Sequence, residues 1–309
     1  MAKAAAGGAS QEASGSTGAT QTSTTRGSDA ALAFAFVQEL AVDLSKGGLQ
    51  LPSYPTVALR VQRILADSGA DAERVVRVIG VEPVLAARIL AMANSVALAP
   101  QGRAVTDLRT AVGRLGFDAL RTAAIGFALT QLRQAPAYRG IEKQLTELWQ
   151  QGVALAATCY VLARSARRFS ADTAMLCGLV AGVGKLYILT RSKNHPELFA
   201  DAQAYQDIVR EWHANVARAV LEDWGVGEEI VTAVHTYEGV ADETRTLPQL
   251  ADVLSVAATL ADFQKDPEQL LHALAGNRAV PRLGLDTQAC QALLGESAAE
   301  LAALRSALG

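Results

Sequence analysis

The chain has 309 residues, half of them apolar but only 5 % aromatic, and its formal net charge is −3. That length buries a sizeable core, as one large domain or two smaller ones, and the core must be built from Ala, Leu and Val. The most apolar stretches, residues 153–163 and 174–184, run about eleven residues before Arg164 and Lys185, against the roughly 20 a spanning helix needs, so they are expected as buried core helices.

Residues 1–28 are mostly Ala, Gly, Ser and Thr, with Lys3, Glu12 and Arg26 as the charged exceptions. They lack the apolar segment of a secretion signal and are expected to form a flexible tail. Periodicity begins at Asp29–Lys46, where Leu32, Phe36, Val37, Leu40 and Leu44 recur at helical spacing, with Ser28 as cap and Gly47-Gly48 as stop. Leu51-Pro52-Ser53-Tyr54-Pro55 then leads into a helix whose stripe is Val57, Val61, Ile64 and Leu65. Asp71 starts the next helix, carrying Val75, Val76 and Ile79. Glu82-Pro83 starts another, with Leu85, Ile89, Leu90 and Ala93 inward and an end near Asn94-Ser95. Thr106 is the expected cap of a helix stopped by Gly116, and Phe117 begins one more.

The second half predicts longer helices over residues 141–169, 171–189 and 203–224, then 228–236 and 248–264. Amphipathic pieces follow from Pro267, including residues 287–294 and 297–308. No β alternation and no fixed-period repeat is present, so the predicted fold class is all-α. The expected organisation is a tail (1–28), an N-terminal helical lobe (29–140), a second helical lobe (141–265) and C-terminal helices packed on both (266–309).

Charge is distributed unevenly. Residues 51–140 hold eleven Arg, no Lys and six acidic residues, whereas residues 220–300 hold fourteen acidic and four basic ones. Solvated helix faces explain this; so does a lobe shaped to meet an acidic partner. Arg60 with Arg63, and Arg74 with Arg77, share helix faces off the apolar stripes and form the expected partner-binding face. Nucleic acid is disfavoured, because the basic lobe has no lysine and no aromatic stacking row. Cys159, Cys177 and Cys290 have no metal-type spacing and fit reduced thiols in a cytoplasm, the first two as buried core.

Glu82-Pro83-Val84-Leu85 with Asn94-Ser95, Leu51-Pro52 with Tyr54-Pro55, and Val183-Gly184-Lys185-Leu186 together resemble the HDOD family, which is related to the HD metal-dependent phosphohydrolases. The most specific stretch is Glu82-Pro83-Val84-Leu85 through Leu90 and Asn94-Ser95, similar to an acid-Pro-x-Leu…Leu…Asn-Ser pattern, with Glu82 where the family usually shows Asp. Leu51-Pro52 with Tyr54-Pro55-Thr56-Val57-Ala58, and Ala111-Val112 through Leu115-Gly116-Phe117 with Leu120-Arg121, resemble the flanking motifs. Leu148-Trp149, Gly178-Leu179-Val180, Val183-Gly184-Lys185-Leu186 and Trp224-Gly225-Val226 to Ile230 resemble the HD-like half. The resemblance covers roughly residues 48–305.

An HD phosphohydrolase uses His and Asp side chains from several helices to hold metal ions that activate water. Carried over position by position, the first His falls on Gln151 and the His-Asp pair on Ala181-Gly182. The late Asp falls on Ala258, with Asp252 and Asp262 as neighbours, and a later His pair falls on Tyr237-Glu238. Only His213 stands where the resemblance implies a histidine, and a metal needs three or four ligands. The alternative is a rebuilt site in which His213 approaches His235 beside Glu211 or Glu238. Lys185 matches a lysine that in HD enzymes faces phosphate; snorkelling is the plainer reading. Ala181-Gly182 is expected to pack helices tightly where a metal cleft would have been. Gly178-x-x-x-Gly182-x-Gly184-Lys185 lies in a helix with no preceding strand, so it is no phosphate loop.

The expectation is a non-catalytic cytoplasmic module of bacterial signalling, acting through a signalling protein partner and needing no cofactor. One alternative is a sensor whose vestigial cleft binds a nucleotide second messenger or other small ligand through Lys185 and His213. The other is a residual phosphohydrolase.

Overall fold

The computed structural model describes residues 34–46, 56–67, 71–95, 104–196 and 202–308. Ala and Leu, which lose little freedom in a helix, dominate these segments, and every regular element among the described residues is helical. The N-terminal part comprises α1 (residues 34–46), α2 (Thr56–Ala66), α3 (Ala72–Ile79), α4 (Pro83–Ala93) and α5 (Leu108–Gln134). Next come α6 (Glu142–Ala166), α7 (Ala171–Val180), α8 (Val183–Ser192), α9 (Ala202–Asp223), α10 (Glu228–Thr236) and α11 (Leu250–Phe263). The chain then runs through α12 (Pro267–Gly276), α13 (Ala279–Arg282), α14 (Thr287–Glu296) and α15 (Ala298–Leu308). The tail over 1–28, the Ser28 cap, Gly47-Gly48 and Leu51–Pro55 lie outside the described residues.

Local chemistry sets the helix boundaries. The Asp71 carboxylate accepts from the Arg74 amide at 2.5 Å and caps α3, and Pro83 opens α4, where its missing N–H costs nothing. Asp107, rather than the expected Thr106, caps α5 by accepting from the Thr110 amide at 2.8 Å. A carboxylate there also meets the positive end of the helix dipole. Gly116 does break α5, at φ 74°, although the helical run continues beyond it to Gln134.

The largest revision concerns residues 171–189, expected as one helix. The chain turns at Ala181-Gly182, so α7 and α8 form a bent pair. By length and composition Ala171–Ser192 could cross a membrane, but 83 % of its most apolar window is buried inside the protein. A helix apolar all round is what the middle of a bundle requires.

One continuous core runs from Phe36 and Leu40 in α1 to Leu304 and Leu308 in α15. α6 is its axis, touching α5, α7, α11, α14 and α15, while α2 and α3 join the bundle through α5, and α4 through α5 and α15. Arg88 in α4 fastens the last helix by donating to the Leu308 carbonyl at 2.8 Å. α1 is held to α8 by Asp43, which accepts from the Tyr187 hydroxyl at 3.0 Å and from Arg191 at 2.6 Å. Cys159 and Cys177 are fully buried, as expected, and burial pushes both thiols up.

Helices in this core approach closely where glycine removes the side chain. A Cβ on Gly178 would stand 2.7 Å from the Ala156 backbone, and one on Gly184 would stand 1.9 Å from the His213 carbonyl oxygen. Two of the glycines that faintly resembled a phosphate loop, Gly178 and Gly184, therefore seat α7 on α6 and α8 on α9.

Candidate functional site

The bend between α7 and α8, the middle of α6, the end of α10 and the face of α11 enclose a cleft of about 880 Å³. Gln151, Ala181, Gly182, Tyr237, Glu238 and Ala258 all line it, as does Lys185. The fold therefore brings to one place the positions that the resemblance aligned with metal ligands. His213 stands directly behind the wall, 2 % exposed.

Glu238 is the hub of this cleft. Its carboxylate can only accept, so the His213 Nε2 at 3.0 Å carries the proton and donates it. The Tyr237 hydroxyl donates to the other oxygen at 2.9 Å, and the Lys185 ammonium lies 3.7 Å away. The His213 hydrogen bond, with help from Tyr237 and Lys185, holds the Glu238 carboxyl down at about 2, well below the ordinary 4.5. A carboxylate with a depressed pKa stabilises the folded state above its unfolded pKa and loses that contribution as pH falls through the folded value. Glu238→Gln is therefore expected to flatten the acid limb of the stability curve between pH 4.5 and about 2. Thermal melts of both proteins across that range provide the check, and identical limbs would count against the pairing.

Lys185, carried over as a position that faces phosphate, lines the cleft with Glu238 3.7 Å away. Ala181-Gly182 does not close the cleft: a Cβ on Gly182 would meet nothing within 4 Å, and the tight packing falls at Gly178 and Gly184 instead. The alternative His213–His235 pairing is not formed, since His235 Nε2 lies 3.1 Å from the Asn215 side-chain oxygen.

The two aspartates near Ala258 separate cleanly. Asp252 is fully buried and takes hydrogen bonds from Arg245, Arg282 and the Gln249 amide, so it is structural. Asp262, one turn beyond Ala258 on α11, lines the cleft. Partial desolvation pushes its carboxyl up; Lys185 opposes the shift and Glu238 adds to it. Ser255, Thr259 and Asn277 complete that wall, with the Asn277 amide donating to both hydroxyls at 3.3 and 3.2 Å. The sequence offered Asp262 only as a neighbour of Ala258, alongside Asp252, and Asn277 carried no signal there.

The donor set does not fit a metal. Gln151 offers an amide, and Ala181, Gly182 and Ala258 offer no side-chain donor. Among the described residues no group of three or more His, Cys, Asp and Glu side chains is placed to hold an ion.

The arginine face is exposed at Arg60, Arg63, Arg74 and Arg77. Arg74 pairs with Asp67 at 3.0 Å, and Arg77 stands 3.9 Å from Glu73, which Arg109 holds at 2.7 Å. Exposed pairs of this kind contribute little. No ion pair joins Arg60 or Arg63 to another described residue.

The family model of the HDOD domain matches residues 51–239, and no curated protein matches the chain. Among solved structures, a protein of Shewanella amazonensis SB2B, provisionally named a metal-dependent phosphohydrolase, aligns at 23 % identity with a TM-score of 0.70. The alignment covers 90 % of this chain and 100 % of that one. A provisionally named signal transduction protein of Marinobacter aquaeolei VT8 aligns at 21 % identity with a TM-score of 0.58, over 89 % and 66 % of the two chains. An HDOD domain protein of unknown function from Geobacter sulfurreducens gives 19 % and 0.56, over 90 % and 96 %. These likenesses establish a common fold.

Proposed function

This chain belongs to the HDOD domain family, and from that premise we propose that it is a non-catalytic, cytoplasmic regulatory module of bacterial signal transduction that acts through a protein partner. The observation that carries the reading is the composition of the cleft. At the places where HD hydrolysis requires ligands stand Gln151, Ala181, Gly182 and Ala258, and the remaining Glu238 is bound by His213, Tyr237 and Lys185. Water activation needs a cation held there with an open coordination position, and these side chains supply neither. A regulatory protein without chemistry of its own must transmit through contact.

The partner surface proposed is the arginine face, centred on Arg60 and Arg63. Arginine makes planar two-point contacts with carboxylates and gives up water more readily than lysine. These two are exposed and unengaged by described neighbours, whereas Arg74 and Arg77 already meet Asp67 and Glu73. Reversing both charges, Arg60→Glu with Arg63→Glu, should weaken capture of a signalling partner from the native cell roughly tenfold or more at mild salt. The melting temperature should move by no more than about 2 °C, as expected for surface substitutions. Undiminished capture would place the interface elsewhere.

A further inference from the structure

The cleft is too large and too polar to be a packing defect. At about 880 Å³ it has the size of a small-molecule site. The lining carries three carboxylates, Glu147, Glu238 and Asp262, against two ammonium groups, Lys185 and Lys265, and Lys185 already lies 3.7 Å from Glu238, so the charges favour a cation over a phosphate-bearing ligand. Asp262, by contrast, accepts no hydrogen bond and joins no ion pair among the described residues, and it faces the same space. Desolvation chiefly raises its carboxyl, with Glu238 adding to the shift and Lys185 opposing it.

The rest of the lining fits the same kind of ligand. Gln151, Ser255 and Thr259 bring side-chain oxygens that can accept from a multi-donor cation. Beside the cleft runs a narrow, mostly apolar slot whose walls include Leu145, Leu148, Trp149, Leu179 and Leu186, together with Arg133. The two share Leu148, Gly152 and Gly182 in their walls, and Gly182 has open space where a side chain would stand.

We propose that this cleft binds a small organic ammonium with an apolar body, the cation meeting Asp262 and the body lying toward the Leu148–Trp149 slot. The proposal deepens the non-catalytic reading and rests on it, since a metal in the cleft would invert its charge preference. Binding of such an amine is a natural input for a module that signals by contact.

The test uses phenethylamine as probe, with 3-phenylpropionate as the isostere of opposite charge and AMP as the phosphate-bearing control. Calorimetric titration into the chelator-treated full chain should show saturable phenethylamine binding at millimolar concentration or below. Affinity should fall roughly tenfold in Asp262→Asn, as expected for loss of a charge-assisted contact, and should largely return in Asp262→Glu. Unchanged melting temperatures would show that both variants are folded. Absence of saturable amine binding, preference for 3-phenylpropionate or AMP, or an unaltered affinity in Asp262→Asn would each overturn the proposal. Repeating the titrations and an AMP hydrolysis assay with added Mn²⁺ separates the two readings. Turnover would defeat the non-catalytic reading itself, whereas amine failure without turnover defeats the ligand proposal alone.

Discussion

Gly184→Ala should lower the melting temperature by roughly 6–12 °C, the equivalent of about 3 kcal/mol or more. The new methyl carbon would stand 1.9 Å from the His213 carbonyl oxygen and 2.9 Å from the Ala217 amide nitrogen. Both atoms are α9 backbone, which cannot rotate aside as a side-chain tip could. Relief requires α8 and α9 to separate along an extensive contact in the bundle. The same displacement moves His213 away from Glu238, so the acid limb of the stability curve should flatten as well. Gly182→Ala is the matched control. It adds the same methyl two residues earlier, into space with nothing within 4 Å, and should cost no more than about 0.5 kcal/mol. Equal losses in the two variants would contradict the close helix crossing.

Asp252→Ala should cost about 3–5 kcal/mol, the range for removing one partner of a buried ion pair. Arg245 donates to both carboxylate oxygens at 2.8 Å, and Arg282 donates at 2.9 and 2.7 Å. The Gln249 amide adds a bond at 2.7 Å that fixes the start of α11. Arg282 also donates to the Val240 and Glu243 carbonyls, so this cluster holds the segment after α10 onto α11 and α13. Without the carboxylate, the Arg282 guanidinium, with 5 % side-chain exposure, is left in the interior without its counter-ion. Asp262→Asn, on the cleft wall and without such bonds, should leave the melting temperature within about 2 °C of the parent. Urea unfolding of the two variants side by side separates the structural aspartate from the cleft aspartate; comparable stabilities would undo that assignment.

Much of the fold was legible because it depends on local pattern. The helical class, α10 at Glu228–Thr236 and the proline start of α4 follow from periodicity and capping chemistry that act within a few residues. The division of residues 171–189 was not legible. Apolar periodicity continues through Ala181-Gly182, and the cause of the bend lies in what α8 must reach, the backbone of α9 some 30 residues later, where Gly184 packs against His213.

The site divides in the same way. Gln151, Ala181, Gly182 and Ala258 were placed by motif order, and the structure gathers them around one cleft. Lys185 was identified, but its pairing with Glu238 joins residues 53 positions apart and is set by tertiary packing. Asp252 and Asp262 look alike in sequence, ten residues apart on one helix. Arg282, thirty residues away, makes the first structural, and open space leaves the second to the cleft.

The central claim, a cleft that holds no catalytic metal, is tested most directly by metal content and turnover measured on one preparation. The full chain would be incubated with Mn²⁺, Fe²⁺, Ni²⁺ or Zn²⁺, desalted, analysed for metal, and assayed on phosphomonoesters, phosphodiesters and nucleotides. The predicted result is no stoichiometric metal and no hydrolysis above a Gln151→Ala control. About one tightly held ion per chain, as structural and catalytic sites retain, together with turnover, would contradict it.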